Sequence, residues 1–300
     1  MIDFNLIGKK YGPVSFKYTW KDVVLYALSV GAQAGELSLI YEHAKGGLKV
    51  IPSFSVIMGI DLFLKLVADM KVDLSRFIQG EQAIKLHRPI PAEGETLIEG
   101  GITNIYDKGK GALLVWRMNI MTGKCELLAE AEVGIFYMGE GGFGGDPGPK
   151  AESLEPPKGA EPDFTVSEYI PENQAALYRL NGDINPLHVD PDFAKMGGYP
   201  RPILHGLCTY GHAVRAILHK ACDGDVERFK EFRARFSGVV YPGDSLVTEG
   251  WKEKGGRYLI QSRTDRAVVL SHAYAKVWVG ECLDRLRADG RSGDAEIGRP

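Results

Sequence analysis

A stretch rich in glycine and proline near the middle of the chain constrains the fold more than any other feature. It covers residues 139–163 and begins with the run Gly-Glu-Gly-Gly-Phe-Gly-Gly-Asp-Pro-Gly-Pro. Such a composition forms linkers rather than helices or strands. We therefore predict two units of about domain size, a first half (1–138) and a second half (164–283). The tail, residues 284–300, offers little to bury and is predicted to be disordered.

The two halves repeat one order of elements. Each opens with a short strand-like run, at residues 14–18 and 164–170, continues through helical material and closes with β-rich runs separated by glycine turns. A Pro/Gly turn followed by a strand occurs at residues 91–97 and again at 242–246. Turn and strand patterns also arise by chance, but an internal duplication explains the repeat most economically.

The second half carries the clearest periodicity. Apolar side chains at three- and four-residue spacing across residues 207–221 predict a long, half-buried helix, with Arg215, His219 and Lys220 on its other side. Consecutive β-rich runs after it favour an antiparallel meander; they lie at residues 232–240, 245–252, 257–264 and 267–279. One helix wrapped by a curved antiparallel sheet, formed twice, is the α+β architecture that we predict.

Composition excludes several classes of protein and partner. Thirty-six basic against 39 acidic side chains give a net charge of −3, so nothing favours nucleic acid or an anionic membrane as a partner. Apolar runs are shorter than the roughly 20 residues that a membrane helix needs. The four cysteines show no C-x-x-C spacing, which is typical of reduced thiols in a reducing compartment.

The densest group of chemically active side chains lies in residues 181–191. Pro186 keeps Asn185 out of the helical region and suits the first position of a helical turn, so Asn185 is predicted to be an N-cap with His188 in that turn. Asp183 and His188 can then point at one water molecule and deprotonate it. The alternative is a capped turn with a solvated Asp183 and an ordinary His188.

A second group lies at the start of the predicted helix. Gly206 follows two prolines at a position where free helix N–H groups emerge, the arrangement of an oxyanion hole. Close packing of helix on sheet is an equally common reason for a glycine. His205, His212 and His219 recur every seven residues, too far apart along one helix to bind one ion. We predict no metal.

These segments together resemble a known family. Residues 178–188 and 202–209, with 26–32 and 141–145, closely resemble the (R)-specific 2-enoyl-CoA hydratases, also called hydratase 2, which are MaoC-like proteins. The resemblance extends to about Val279. It is closest to the double-hotdog kind, similar to the hydratase part of peroxisomal multifunctional enzyme type 2. It implies a double hotdog, two tandem hotdog units.

The resemblance also implies roles for individual residues. Asp183 and His188 match the pair that holds the catalytic water, Asn185 matches the polar residue that shapes their site, and Gly206 matches the glycine whose N–H binds the thioester oxygen. Further positions match the acyl-CoA site: Gln79, Gly80, Lys108, Ile184, Pro186, Leu187 and Phe236. Gln79 departs from the family, which often has histidine there.

The implied reaction is reversible hydration of a trans-2-enoyl-CoA to a (3R)-3-hydroxyacyl-CoA, with CoA entering as part of the substrate and no separate cofactor. A thioesterase on the same fold and a non-catalytic acyl-CoA-binding module remain alternatives. The first half lacks the Asp-x-Asn-Pro-x-His motif and is expected to form a wall for substrate, with residues 50–66 lining a groove or forming a core helix. We expect a homodimer in the cytoplasm, or in the peroxisome of a eukaryote.

Overall fold

One antiparallel sheet runs through the molecule. The computed structural model describes residues 2–70, 76–150, 152 and 154–279. Its ten strands lie in the order β1-β3-β4-β5-β2-β7-β10-β9-β8-β6, and every neighbouring pair is antiparallel. The strands are β1 Tyr11–Tyr18, β2 Phe77–Leu86, β3 Gly94–Asp107, β4 Gly111–Thr122, β5 Leu127–Met138, β6 Phe164–Tyr169, β7 Phe229–Phe236, β8 Ser245–Lys252, β9 Arg257–Arg263 and β10 Val268–Val277.

Seven α-helices and several short 3-10 turns accompany the sheet in the described part of the chain. The helices are α1 Trp20–Ser29, α2 Leu37–Ile40, α3 Ser55–Met58, α4 Ile60–Met70, α5 Gln174–Tyr178, α6 Pro191–Met196 and α7 Gly206–Lys220. The helix expected at residues 207–221 is therefore present as α7. No helix among the described residues combines the length and apolar character needed to cross a membrane. The predicted disordered tail lies outside the described residues.

The order of strands mirrors itself about the middle of the sheet. The first half contributes β1-β3-β4-β5-β2, and the second half follows with β7-β10-β9-β8-β6, the same sequence of strand roles in reverse. The halves join where β2 pairs with β7, with Glu81 opposite Arg235 and Lys85 opposite Glu231. Glu81 and Arg235 also form an ion pair of 2.8 Å. This symmetry is what a duplicated unit produces.

Helix α7 is buried on every side, not half-buried as its periodicity suggests. All residues from Cys208 to Leu218 are buried, and the prediction for Arg215 is wrong. Its guanidinium pairs with Glu36 at 2.7 Å and with Glu168. Its Nε donates to the carbonyl of Val30. The first half covers this side of the helix, so the charge is neutralised by partners that are distant in sequence.

The helical region of the first half is broken into short pieces. A 3-10 turn at Pro52–Phe54 leads to α3 and then to α4, with Gly59 between the two helices. A side chain at Gly59 would meet the sulfur of Met118 at 2.4 Å, so close packing requires glycine here. Most apolar side chains of residues 50–66 are buried in the main core, among them Phe54 and Leu62 at 0% exposure. The structure favours the core interpretation of this segment.

The glycine-rich stretch after β5 is held by one carboxylate. Asp107 accepts hydrogen bonds from the N–H groups of Gly109, Gly142 and Gly144, each at 2.8 Å. These bonds lower the pKa of Asp107. The beginning of the predicted linker thus binds to the β3–β4 turn.

The domain boundaries at 1–138, 139–163, 164–283 and 284–300 stay predictions.

Candidate active site

Asp183 lies just before a capped turn, and His188 is the last residue of that turn. The polypeptide leaves α5 through a 3-10 turn and Gly182, whose φ of +112° suits glycine, and reaches Asp183. Asn185 then caps the 3-10 turn Pro186–His188, and its side chain accepts a hydrogen bond of 3.1 Å from the N–H of Leu187. The predicted N-cap at Asn185 is therefore present, and proline and asparagine together set the direction of the turn.

Asp183 and His188 are close enough to share one water molecule. Side-chain ligand atoms of Asp183, His188 and His205 all lie within 4.8 Å of one another. Two hydrogen bonds of about 2.8 Å meeting at a tetrahedral angle span roughly 4.6 Å, so a single water can bridge this gap. Asp183 is half-buried and His188 is buried. The turn therefore brings the two groups together at the edge of the core, where solvent can reach Asp183.

The hydrogen bond of His188 fixes which of its nitrogens can act as a base. Nδ1 lies 2.9 Å from the carbonyl oxygen of Ile203. A carbonyl only accepts, so Nδ1 carries the hydrogen, and Nε2 of the neutral ring is free to accept one. Burial lowers the pKa of His188, although the Ile203 hydrogen bond and the charge of Asp183 act in the opposite direction. The ring is thus neutral near pH 7.

His205 packs directly on the imidazole of His188. Its ring stacks on that of His188 with centroids 3.7 Å apart and planes at 28°, and the ring of Tyr178 lies at 4.9 Å. Its Nε2 donates to the backbone carbonyl of Asp183 at 3.2 Å. The Nδ1 atom is buried, with no hydrogen-bond partner among the described residues. Burial lowers the pKa of His205 to about 3, with a further contribution from His188.

Gly206 provides a free backbone amide next to these groups. It is the first residue of α7, and His205 is the N-cap. N–H groups in the first turn of a helix have no acceptor within the helix, and the helix dipole favours negative charge there. Gly206 is exposed. A side-chain carbon at this position would lie 3.3 Å from the ring of Phe236, which covers the glycine from one side.

The distances alone would also allow a metal ion between Asp183, His188 and His205. A metal lies in the plane of each imidazole that binds it, about 2.0 Å from the nitrogen. Stacked rings 3.7 Å apart place their lone pairs in two separate planes. One ion cannot lie in both, so this arrangement fits a water better than a metal. The absence of a metal from the reaction stays a prediction.

A cavity of about 370 Å³ opens where the two halves of the sheet meet. Three of the predicted substrate-binding residues, Gly80, Lys108 and Phe236, line it. Glu81 and Arg235 also line it, and sequence analysis did not single them out. Because Phe236 borders both this cavity and Gly206, the cavity and the amide are neighbours. The structure thus brings three predicted binding positions from both halves to one cavity.

The remaining predicted binding positions do not line this cavity. Gln79 donates its side-chain amide to Oε1 of Gln82 at 3.0 Å and does not line the cavity. Ile184 is 68% exposed, and Pro186 is also exposed. Leu187 is half-buried near Gly197. These three follow Asp183 along the capped turn and border the site by their position in the chain.

One residue of the first half binds the segment that leads to Asp183. The Oγ atom of Ser29 accepts a hydrogen bond of 2.9 Å from Asn181. Its carbonyl accepts from Gln174 and from the thiol of Cys208. Ser29 is fully buried at the end of α1. No local pattern marks this serine, since the three partners from the second half are more than 140 residues away and only the contacts reveal them.

Comparison with known proteins identifies the family. The model of the MaoC-like domain matches residues 152–272, and that of the MFE-2 hydratase 2 N-terminal domain matches residues 16–139. The chain belongs to the MaoC-like hydratase 2 family. The resemblance noted in the sequence is therefore confirmed, and so is the α+β double hotdog fold, which solved MaoC-like proteins share.

Relatives of this hydratase 2 protein span nearly the whole chain. The Dictyostelium discoideum protein named probable enoyl-CoA hydratase 2 is 39% identical over 279 residues, covering 90% of this chain and 95% of that protein. Mouse peroxisomal multifunctional enzyme type 2 is 38% identical over 278 residues, 89% of this chain but 37% of its own length. A solved MaoC-like dehydratase from Phytophthora capsici has a TM-score of 0.82 at 29% identity, covering 91% of this chain and 95% of that one.

Proposed function

We propose that this protein is a hydro-lyase that reversibly adds water to a trans-2-enoyl-CoA and forms a (3R)-3-hydroxyacyl-CoA. The observation that carries the proposal is the convergence of Asp183 and His188, with ligand atoms within 4.8 Å, next to the exposed first amide of α7. A chain of the hydratase 2 family that presents these groups together has the parts that hydration needs.

The chemistry begins with a water held between Asp183 and His188. As the water oxygen bonds to carbon three of the enoyl group, one of its protons passes to the Nε2 atom of His188 or to the Asp183 carboxylate. Carbon two then gains a proton from the same pair, so one water is added in total. Neutral His188 can accept a proton because its Nδ1 hydrogen is already engaged with Ile203. Either residue can serve as the formal base.

Gly206 supplies the complementary group. Negative charge builds on the thioester oxygen while the water attacks, and a backbone N–H at a helix N-terminus stabilises such charge. Phe236 packs against Gly206 and continues into the cavity, so it confines the thioester between the amide and the bound water. An added donor of this kind lowers a barrier by about 3 kcal/mol.

The cavity at the junction of the halves is the proposed path of the CoA moiety. Lys108 and Arg235 place two cationic groups on its lining, partly balanced by Glu81. CoA phosphates are anionic, and both cations can contact them. We propose that no metal or bound organic cofactor takes part, because the thioester itself polarises the double bond and CoA arrives with the substrate.

We also propose that the protein works as a homodimer in a reducing compartment. Large apolar side chains are exposed around the catalytic turn, among them Met196 at 77%, which is typical of a surface that meets a partner. Cys208 and Cys222 are buried free thiols, and Cys125 is an exposed one. Free thiols suit the cytoplasm, or in a eukaryote the peroxisome. Light scattering of the purified chain tests the dimer.

A direct hydration assay tests the activity. Purified protein is mixed with trans-2-enoyl-CoA substrates of increasing acyl length, and loss of the conjugated thioester is followed by ultraviolet absorbance. A dehydrogenase specific for the (3R) product then identifies the configuration. We expect rapid loss of absorbance and conversion of the product by the (3R)-specific enzyme.

The same samples separate hydration from its alternatives. A thiol-reactive dye reports free CoA, which a thioesterase would release and a hydratase would not. Thermal stabilisation by an enoyl-CoA without turnover would indicate a binding module. Release of CoA, or binding without any change in absorbance, would overturn the proposal.

A further inference from the structure

His205 touches every part of the proposed machinery. Its ring stacks on His188, its Nε2–H donates to the backbone carbonyl of Asp183, and its own backbone starts α7 as the N-cap before Gly206. The Tyr178 ring supports it from a second direction. Thus one residue contacts both the acid and the base and directly precedes the proposed oxyanion amide, although no substrate can reach it, since it is 0% exposed.

We propose that His205 is a positioning residue for hydration: its N–H holds the backbone of Asp183, and its ring holds the plane of His188, so that both face the same water. The inference rests on the proposed function and adds a third side chain to it. The contact of 3.2 Å to the Asp183 carbonyl and the 3.7 Å stack are the two observations that carry it.

Simple core packing does not account for this residue. An apolar ring would fill the same space without burying a polar group, whereas the Nδ1 of His205 is buried and has no partner among the described residues. Buried polar groups are normally satisfied, because leaving one unpaired is unfavourable. In His205 the opposite nitrogen, Nε2, donates to the backbone carbonyl of Asp183 and so secures the turn that carries the acid.

The two histidines also have complementary protonation. His188 carries its hydrogen on Nδ1, toward Ile203, while His205 carries its hydrogen on Nε2, toward Asp183. Burial keeps His205 neutral. A neutral ring stacked on His188 lets that residue take up a proton during the reaction, whereas a charged neighbour would repel it.

Two substitutions separate the N–H from the ring. His205→Phe keeps a flat ring for stacking but removes the donor, and His205→Gln keeps an N–H near the position of Nε2 but removes the ring. His219→Gln, near the other end of α7, is the matched control. All are measured in the full-length protein with an enoyl-CoA, together with their unfolding curves.

We expect His205→Phe to lower kcat by about ten- to a hundredfold with KM within about threefold, because displaced catalytic groups cost rate more than binding. His205→Gln should recover part of that loss, and His219→Gln should leave kcat unchanged. A folded His205→Phe protein with normal kcat would overturn the inference. Absence of hydration in the unsubstituted protein would instead overturn the proposed function, so the two failures are distinguishable.

Nitrogen-15 NMR of the unsubstituted protein gives a second test that does not depend on the folding of any variant. We expect His205 to stay neutral between pH 5 and 8 with its hydrogen on Nε2, and His188 to be the opposite tautomer at pH 8. Hydrogen on Nδ1 of His205, or titration of His205 within this range, would contradict the positioning contact with Asp183.

Discussion

The two halves of the molecule each have a glycine with positive φ shortly after their first α-helix, but different side chains follow it. Gly31, with φ of +86°, comes two residues after α1, and Gly182, with φ of +112°, directly follows the 3-10 turn after α5. The next residue is Ala32 in the first half and Asp183 in the second. The first half does have an acid shortly afterwards, Glu36, but it pairs with Arg215 and His219 of α7. The two glycines thus share a positive φ, whereas the side chains that follow them differ.

The helices that follow these turns differ in the same way. The second half has the continuous helix α7, which starts with an exposed glycine. The first half has short pieces that bury Phe54 and Leu62 in the core. Ile60 of the first half lies 3.6 Å from the point where a side chain at Gly182 would begin. The two halves therefore share one continuous sheet but differ in the helices that follow their glycines.

Removal of the acid or the base tests the comparison most strongly. Asp183→Asn and His188→Gln should each lower kcat by about 10²- to 10⁴-fold, because positioned proton transfer contributes that much. Steady-state hydration kinetics measure the loss, and circular dichroism checks the fold. Leu37→Gln changes the residue of the first half at the same spacing from its glycine as His188 and should leave kcat unchanged. Near-normal rates in both site variants would place the chemistry elsewhere.

The amide of Gly206 can be removed by one substitution and retained by another. Gly206→Pro deletes the N–H, and proline is favoured at the first position of a helix. Gly206→Ala keeps the N–H and adds the same carbon near Phe236. We expect kcat of the proline variant to be about a hundredfold below that of the alanine variant, as for loss of an oxyanion donor. Equal kcat values would argue against an oxyanion role.

The pH dependence of the rate should report the protonation of His188. Burial lowers the pKa of His188 from its usual 6.5, and only the neutral ring accepts a proton. The value of kcat/KM should therefore fall as the pH is lowered, by about tenfold per pH unit below an apparent pKa that lies under 6.5. A decline that begins well above pH 7 would be inconsistent with a buried, neutral His188.

Arg215 tests how strongly the first half is bound to α7. Arg215→Met leaves Glu36 and Glu168 without their common partner, so we expect the free energy of unfolding to fall by about 3 kcal/mol. Arg117→Met serves as the control, because Arg117 and Glu132 form a pair in which the arginine is mostly exposed. Such surface pairs contribute about 0–1 kcal/mol. Denaturant unfolding of both variants measures how much free energy of unfolding each one loses. Equal losses would show that the buried ion pairs of Arg215 stabilise the fold no more than a surface pair.

The smallest expected effect is that of replacing Ser29, which binds the segment that leads to Asp183. Ser29→Ala removes the acceptor of the Asn181 side chain, and we expect a loss of about 1 kcal/mol in stability and a severalfold decrease in kcat. Ser15→Ala, on an exposed part of β1, should change neither. If Ser29→Ala lost stability but kept kcat, the first half would support the fold without positioning the site.

Much of this site follows from short-range sequence patterns. The Asn185 cap and the proline after it force the turn that holds Asp183 and His188, because φ restriction and side-chain capping act within a few residues. The start of α7 at Gly206 and most strand positions were likewise predictable from local periodicity. The resemblance to hydratase 2, carried by the residues 178–188 and 202–209, was enough to predict the fold.

Only the tertiary structure decided which distant groups meet. Arg215 looks solvent-exposed in the helical pattern, but the first half covers it, and periodicity records only the position around a helix, not what packs there. The stack of His205 on His188 and the anchor at Ser29 depend on contacts between separate segments. The sequence by itself determined the elements and the chemical groups. Tertiary packing determined which of these groups contact one another, because contacts across the core join segments that are distant in the sequence.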